Sequence, residues 1–224
     1  MKKMRIDRGI CSVIGRNCLR AVFILLFFHS FIFLTSCSED SEEESEFDNW
    51  QTKNDAAIVK WAANTSYRKI KTYTKNESTT AKSTNDDYIY VEVLESGSGT
   101  ESPLFTDTVR VAYRGRYIPT ASYPQGLVFD QSYLSEEFEW ELANAVKSSA
   151  GAFIPGFTTA VMNMHVGDYW RVHIPYMLGY GTSYYSSSSG SSIPGYSDLV
   201  FDIAMYDFWH PGEYRPAFKS RGGE

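Results

Sequence analysis

The residue types that usually carry chemistry are sparse in this chain and poorly placed to cooperate. There is no GxSxG nucleophile turn, no HExxH metal-binding helix and no phosphate-binding glycine loop. His165 and His173 are separated by eight positions. One follows a helical segment and the other points outward from an alternating segment, which reads as surface or structural histidine rather than a metal pair. Acidic neighbours such as Glu136 and Glu137 read as solvated. No metal and no cofactor is expected. Aromatic surface is what the chain has in quantity: 16% of its residues are Phe, Trp or Tyr. Rings without a nucleophile suit the binding and desolvation of an apolar group.

Those rings need a scaffold, and the hydrophobic pattern supplies one. Tyr88–Leu94 reads as a strand. In Asp107–Tyr117, Val109, Val111, Tyr113 and Tyr117 share one face, and Thr108, Arg110, Arg114 and Arg116 the other. Phe138, Trp140 and Leu142 alternate with Glu139 and Glu141. Trp170, Val172 and Ile174 alternate with Tyr169, Arg171 and His173, and Leu199, Phe201, Ile203 and Met205 close the series. A period of two in five segments predicts an antiparallel sheet with one buried face. Phe157, Ala160, Val161 and Met164 instead recur at helical spacing, with Gly156 before them and Gly167 after. One short helix lying across such a sheet makes an α+β domain.

The motifs along this stretch resemble, in order, those of the FK506-binding-protein (FKBP) type of peptidyl-prolyl isomerase. The resemblance runs from about Tyr88 to Asp207. Val109-x-Val111-x-Tyr113-x-Gly115 is similar to the strand that carries the family's first pocket tyrosine, and Phe129-Asp130-x-Ser132 to its Phe-Asp-x-Ser signature. Phe138-x-Trp140 stands where the family has two aromatics. Phe153-Ile154-Pro155-Gly156-Phe157 resembles the turn into its helix, Met164-x-x-Gly167 the helix exit, and Ile174-Pro175 the following strand end. Gly179-Tyr180-Gly181, Ile193-Pro194 and Leu199-Val200-Phe201-Asp202-Ile203 complete the order.

The resemblance implies a half-open antiparallel sheet wrapped around one short helix. It implies catalytic roles for Tyr113, Asp130 and Tyr180, and a substrate pocket of Phe129, Phe138, Phe153, Ile154, Phe157, Ile193 and Phe201, with Phe157 beneath the proline ring. Each aromatic taken alone is better explained by core packing. An acid directly after Phe129 must find a partner or raise its pKa, and the family pattern places the Tyr113 hydroxyl near Asp130. The reaction implied is rotation about X-Pro bonds, for which rings are a sensible instrument. Twisting the amide breaks conjugation at a cost of about 18–20 kcal/mol, and the twisted amide is less polar than the planar one. An apolar, water-poor cleft therefore favours it.

Some features depart from the family pattern. Phe157 stands where many members have Trp, no arginine follows the Phe-Asp-x-Ser element, and Asp198 replaces a small or hydroxyl residue. Ile118–Gly126 lengthens the approach to Phe129. Thr182–Ser192 is rich in Ser and Gly and overhangs the cleft, with Tyr184 and Tyr185 either a lid or part of a floppy connector.

The remaining segments bear on location. Six Lys/Arg precede an apolar run from Ala21 to Leu34, which ends in Leu34-Thr35-Ser36-Cys37. Residues 1–36 read as a secretory signal, and the last four residues resemble a bacterial lipobox, implying lipidation of Cys37. An ordinary signal with an incidental cysteine is the plainer alternative. Cys11 and Cys18 leave with the signal, so the mature chain has no free thiol. Cleavage lowers the formal charge from −6 to about −11. Residues 37–48 then form an acidic tether, which resembles the surface-export signal of Bacteroidetes lipoproteins. Nucleic acid is not an expected partner. Residues 49–85 read as a short helical extension and linker, with a helix near Asp55–Ala63 that packs on the main domain or pairs with a second copy as a homodimer. The domain is expected at 86–210, followed by a tail at 211–224. The expected partners are proline-containing polypeptide clients and, through Cys37, the outer membrane, on its periplasmic side or at the cell surface. Two non-catalytic alternatives, a chaperone that grips apolar segments and a surface interaction protein, share the same scaffold.

Overall fold

Every alternating segment within the described part of the chain is a strand. The computed structural model describes residues 45–75, 82–132, 145–186 and 192–213. Cys37, the tether ahead of Ser45, and Phe138, Trp140 and Leu142 lie outside that range. The elements, in chain order, are α1 (Trp50–Ala63), β1 (Arg68–Lys71), β2 (Tyr88–Glu95), β3 (Thr108–Tyr117), β4 (Val128–Gln131) and β5 (Val146–Ser149). They continue with α2 (Pro155–Val161), β6 (Tyr169–Ile174), β7 (Tyr185–Ser186), β8 (Ser192–Ile193) and β9 (Leu199–Trp209).

A seven-stranded antiparallel sheet has the order β1-β2-β6-β9-β3-β4, with β5 also paired to β3. Register explains the spacing of the sequence motifs. Gly115 lies opposite both Phe201 and Asp130, and Val172 opposite Phe201. Odd-numbered residues of the C-terminal half of β3 therefore share the concave face with Phe201 and Val172. A bulge between Arg110 and Val111 against β9 resets the alternation farther along.

The concave face closes on α2, which starts with Pro155 in the first turn, where its missing N–H costs nothing. Gly156 through Val161 are all buried. Gly156 is required by close approach, because a Cβ there would meet Ile174 Cγ2 at 2.3 Å. The helix ends at Val161, short of the expected Met164, which is nonetheless fully buried in the turn that follows.

The other face differs from the expected solvated one. Trp50, Asn54, Ile58 and Trp61 form the buried stripe of α1, with i, i+4, i+8, i+11 spacing. Trp61 packs on Tyr90 and on the His173 ring, centroids 4.9 Å apart, and Tyr67 stacks on His173 at 4.8 Å. His173 is therefore on the outer face, as its position in the alternation implies, but buried there rather than exposed. Burial, and secondarily the Arg171 charge, lowers its pKa to about 4, so it is neutral at pH 7. Arg116, expected on a polar face, is also buried. It ion-pairs with Asp202, to which Arg171 Nε donates at 2.7 Å. The extension supplies one further element: Arg68–Lys71, in the stretch read as extension and linker, adds an edge strand to the sheet.

Candidate active site

The β3–β4 register brings Tyr113 and Asp130 together. The Tyr113 hydroxyl donates to Asp130 Oδ2 at 2.8 Å. Ser132, which closes the Phe-Asp-x-Ser element, makes that geometry reproducible: its N–H donates to the Tyr113 carbonyl and its Oγ accepts the Tyr113 N–H, both at 2.9 Å. Burial first, and the bond to Asp130 second, raise the Tyr113 pKa, so the phenol keeps its proton at neutral pH.

Five ring contacts link the aromatics. Phe157 meets Phe153 at 4.5 Å, Phe201 at 5.2 Å and Tyr113 at 5.7 Å, while Phe201 also meets Phe129 at 5.6 Å and Tyr113 at 5.9 Å. Most of these pairs are edge-to-face, the arrangement that ring quadrupoles favour. Gly115 permits the Phe129–Phe201 contact, since a Cβ there would lie 2.6 Å from Phe201 and 2.8 Å from Phe129. Phe157 and Phe201 are buried, and Tyr113, Phe129, Phe153, Ile154 and Tyr180 are packed on the core while remaining partly exposed. The surface is thus apolar beneath and amphipathic at its rim.

Tyr180 lies after a short turn, Tyr176–Leu178, whose Tyr176 carbonyl accepts the Gly181 N–H at 2.8 Å. Its ring stacks on Tyr185 at 4.5 Å, and burial foremost raises its pKa. Ile193 is buried and lies opposite Tyr185 in the β7–β8 hairpin. The overhanging loop is therefore paired at both described ends, with Tyr184 exposed beside it. Phe138 and Cys37 lie outside the described residues.

Three contributors were not legible as site residues. Tyr117 packs at a tilt on Phe129, centroids 5.1 Å apart, and donates to the Ser192 carbonyl at 3.2 Å, joining two walls. Trp50 and Asn54 reach the loop after β8: Trp50 Nε1 donates to Ser197 Oγ, and Asn54 Oδ1 accepts the Asp198 N–H, both at 2.8 Å. The only hint in the sequence was Asp198 itself, an acid where a small residue was expected. Its Oδ1 accepts the Tyr176 N–H at 2.8 Å, and burial raises its pKa to about 8. Among the described residues no cluster of His, Cys, Asp or Glu could hold a metal, and no helix is long and apolar enough to cross a membrane.

Residues 99–206 match the family model described as FKBP-type peptidyl-prolyl cis-trans isomerase. The chain is 34% identical over 90 residues to the macrophage infectivity potentiator of Trypanosoma cruzi, covering 40% of this chain and 39% of that protein. It is 33% identical over 91 residues to the peptidyl-prolyl cis-trans isomerase Mip of Coxiella burnetii, covering 40% and 33%. It thus spans well under half the length of either relative. Among solved structures, FkpA from Escherichia coli is similar in fold, with a TM-score of 0.50 at 22% identity over 92% of this chain and 83% of that one.

Proposed function

Given that residues 99–206 match the family model of the FKBP-type peptidyl-prolyl cis-trans isomerases, we propose that the chain rotates X-Pro bonds in proline-containing polypeptides and assists their folding after export. The observation that carries this reading is the joined set of rings around Phe157, with the Tyr113–Asp130 hydrogen bond at its rim. In it, Phe157 and Phe201 lie beneath the proline ring, while Phe129, Phe153, Ile154 and Ile193 complete the walls.

The chemistry needs no nucleophile. As the C–N bond twists, the amide loses charge separation, and a site that offers rings instead of water stabilises that state relative to the planar one. Tyr180, held protonated by burial, donates to a substrate carbonyl and fixes the chain on one side of the rotating bond. The Ile154 backbone N–H, at the start of α2, is a second donor of the same kind. Asp130 acts by holding the Tyr113 ring in place.

Delivery outside the cytoplasm follows from the secretory segment at 1–36, with lipidated Cys37 anchoring the domain to the outer membrane through the acidic tether. The buried stripe of α1 is covered within the chain, which favours a docked extension over one reserved for pairing two copies. Exposure of Tyr184 beside the Tyr180–Tyr185 stack favours a contribution of this hairpin to client binding. A protease-coupled assay on an X-Pro peptide tests the reading, with Tyr180→Phe and Asp130→Ala compared to wild type. Inactive wild-type protein, or full activity in both variants, would overturn it.

A further inference from the structure

The extension helix makes hydrogen bonds and ring contacts to both walls of the aromatic site, and its polar residues on the buried stripe are spent on those contacts. Asn54 is fully buried in α1. Its Nδ2 donates to the Trp50 carbonyl at 2.7 Å, and its Oδ1 accepts the Asp198 N–H at 2.8 Å. Asp198 passes the connection on by accepting the Tyr176 N–H, and the Tyr176 carbonyl accepts the Gly181 N–H. Tyr180 is thus held in a turn whose first residue is tied, through one carboxyl group, to the extension. The Tyr176 hydroxyl donates to Asp55 Oδ1 at 3.2 Å, a second tie from the same turn to the same helix.

Trp50 serves the opposite wall as well. Its indole N–H donates to Ser197 Oγ, which donates in turn to the Pro194 carbonyl at 2.7 Å, next to Ile193. Its ring meets Tyr117 edge-on at 6.0 Å, and Tyr117 packs at a tilt on Phe129. The Tyr196 N–H donates to the Gly181 carbonyl at 3.0 Å and closes the loop between the two walls.

We propose that the N-terminal half of α1 is part of the active site, with Trp50 and Asn54 acting as positioning residues that hold Tyr180, Ile193 and Phe129 in register with Phe157. The proposal rests on the isomerase reading above and adds Trp50 and Asn54, which lie outside the 99–206 family match. Its physical basis is that the apolar floor is built by α2 and the sheet, whereas the Tyr180 turn is anchored through loops. The floor sets affinity for the proline ring, and the braced donor sets how well the twisted amide is oriented.

The test compares Asn54→Ala, Trp50→Phe and Tyr176→Phe in the full chain with Trp61→Ala, which disturbs the same helix where it packs on Tyr90 and His173. Activity is measured on an X-Pro tetrapeptide and corrected for folded fraction. Asn54→Ala is expected to lower kcat about tenfold with KM within about twofold, and Trp50→Phe and Tyr176→Phe to lower it about two- to threefold. Trp61→Ala is expected to lower the unfolding midpoint while leaving kcat per folded molecule unchanged. Equal kcat losses in Asn54→Ala and Trp61→Ala, or no loss in Asn54→Ala, would overturn the proposal. Should the wild type show no isomerase activity, the Tyr180 ring resonances still decide the positioning claim. Asn54→Ala and Tyr176→Phe should shift them and Trp61→Ala should not, and unshifted resonances in the first two would refute it.

Discussion

The two faces of one sheet have been put to opposite uses. On the concave face, Tyr113, Gly115, Val172 and Phe201 present rings and space to α2 and to the rim. One residue along each strand, on the outer face, Arg116, Arg171, His173 and Asp202 form a cluster of ionisable groups beside Trp61 and Tyr67. In the proposed reading a binding face must stay apolar and open, and the ion pairs of Asp202 with Arg116 and Arg171 sit on its back. There a helix can cover them, and no client competes for them. A buried pair contributes little when intact but is costly to break, because the surviving charge is stranded.

Breaking the back should therefore cost stability without costing chemistry. Asp202→Ala leaves Arg116 buried without its carboxylate and is expected to destabilise by about 3–5 kcal/mol, read from urea denaturation. Activity per folded molecule should remain near wild type. A comparable loss of kcat would mean that the two faces are not separable in this way.

Titration sharpens the same division. The His173 pKa falls from 6.5 to about 4, so the unfolded chain binds the extra proton, and stability from this group is lost as pH falls from 6.5 toward 4. The Asp198 pKa rises from 3.8 to about 8. Here the folded chain holds the extra proton, so stability from this group is lost as pH rises from about 4 to about 8. The two effects oppose each other below pH 6.5, and above it only Asp198 acts, removing about 2 kcal/mol by pH 8. Asp198→Asn, which keeps an acceptor for the Tyr176 N–H, should abolish the fall above pH 6.5. His173→Phe should extend the fall down to pH 4. Denaturation curves across pH 4–9 test both, and parallel profiles for variant and wild type would contradict the assignment.

On the concave face the expected ordering reverses. Tyr113→Phe and Asp130→Ala each remove one partly solvated hydrogen bond, worth about 1 kcal/mol of stability, but should lower kcat/KM about tenfold by releasing the Tyr113 ring. The assay is the X-Pro peptide reaction, with urea midpoints measured on the same samples. The smallest effect is expected at the exposed rim. Tyr184→Ser should change stability by no more than about 0.5 kcal/mol and leave turnover of a short peptide within about twofold. Its effect should appear instead as weaker binding of longer unfolded chains, measured by titration.

Local pattern was sufficient for the strands that line the site. Alternation placed Val109, Val111 and Tyr113 on one side of β3, and the same rule held for Trp170, Val172 and Ile174, because a pleated strand with one apolar face has a strict period of two. Helical spacing found α2, although Pro155 and the turn at Met162 moved its ends. The extension was far less legible. A stripe of Trp50, Asn54, Ile58 and Trp61 contains a polar residue that no apolar count includes, so the helix was read as beginning near Asp55 and only loosely periodic. β1 was hidden because a four-residue edge strand of Arg, Lys, Ile and Lys carries almost no pattern.

What sequence alone determined, then, was everything governed by neighbours a few positions apart: the strand alternation, the α2 stripe and the order of motifs. What only the tertiary structure decided were pairings across long stretches of chain. Asn54 is a surface-type residue until it meets the Asp198 N–H, 144 positions away. His173 is an outward residue until Trp61 and Tyr67 close over it. Whether a buried polar group is satisfied depends on the partner it finds in space, and no local periodicity encodes that partner.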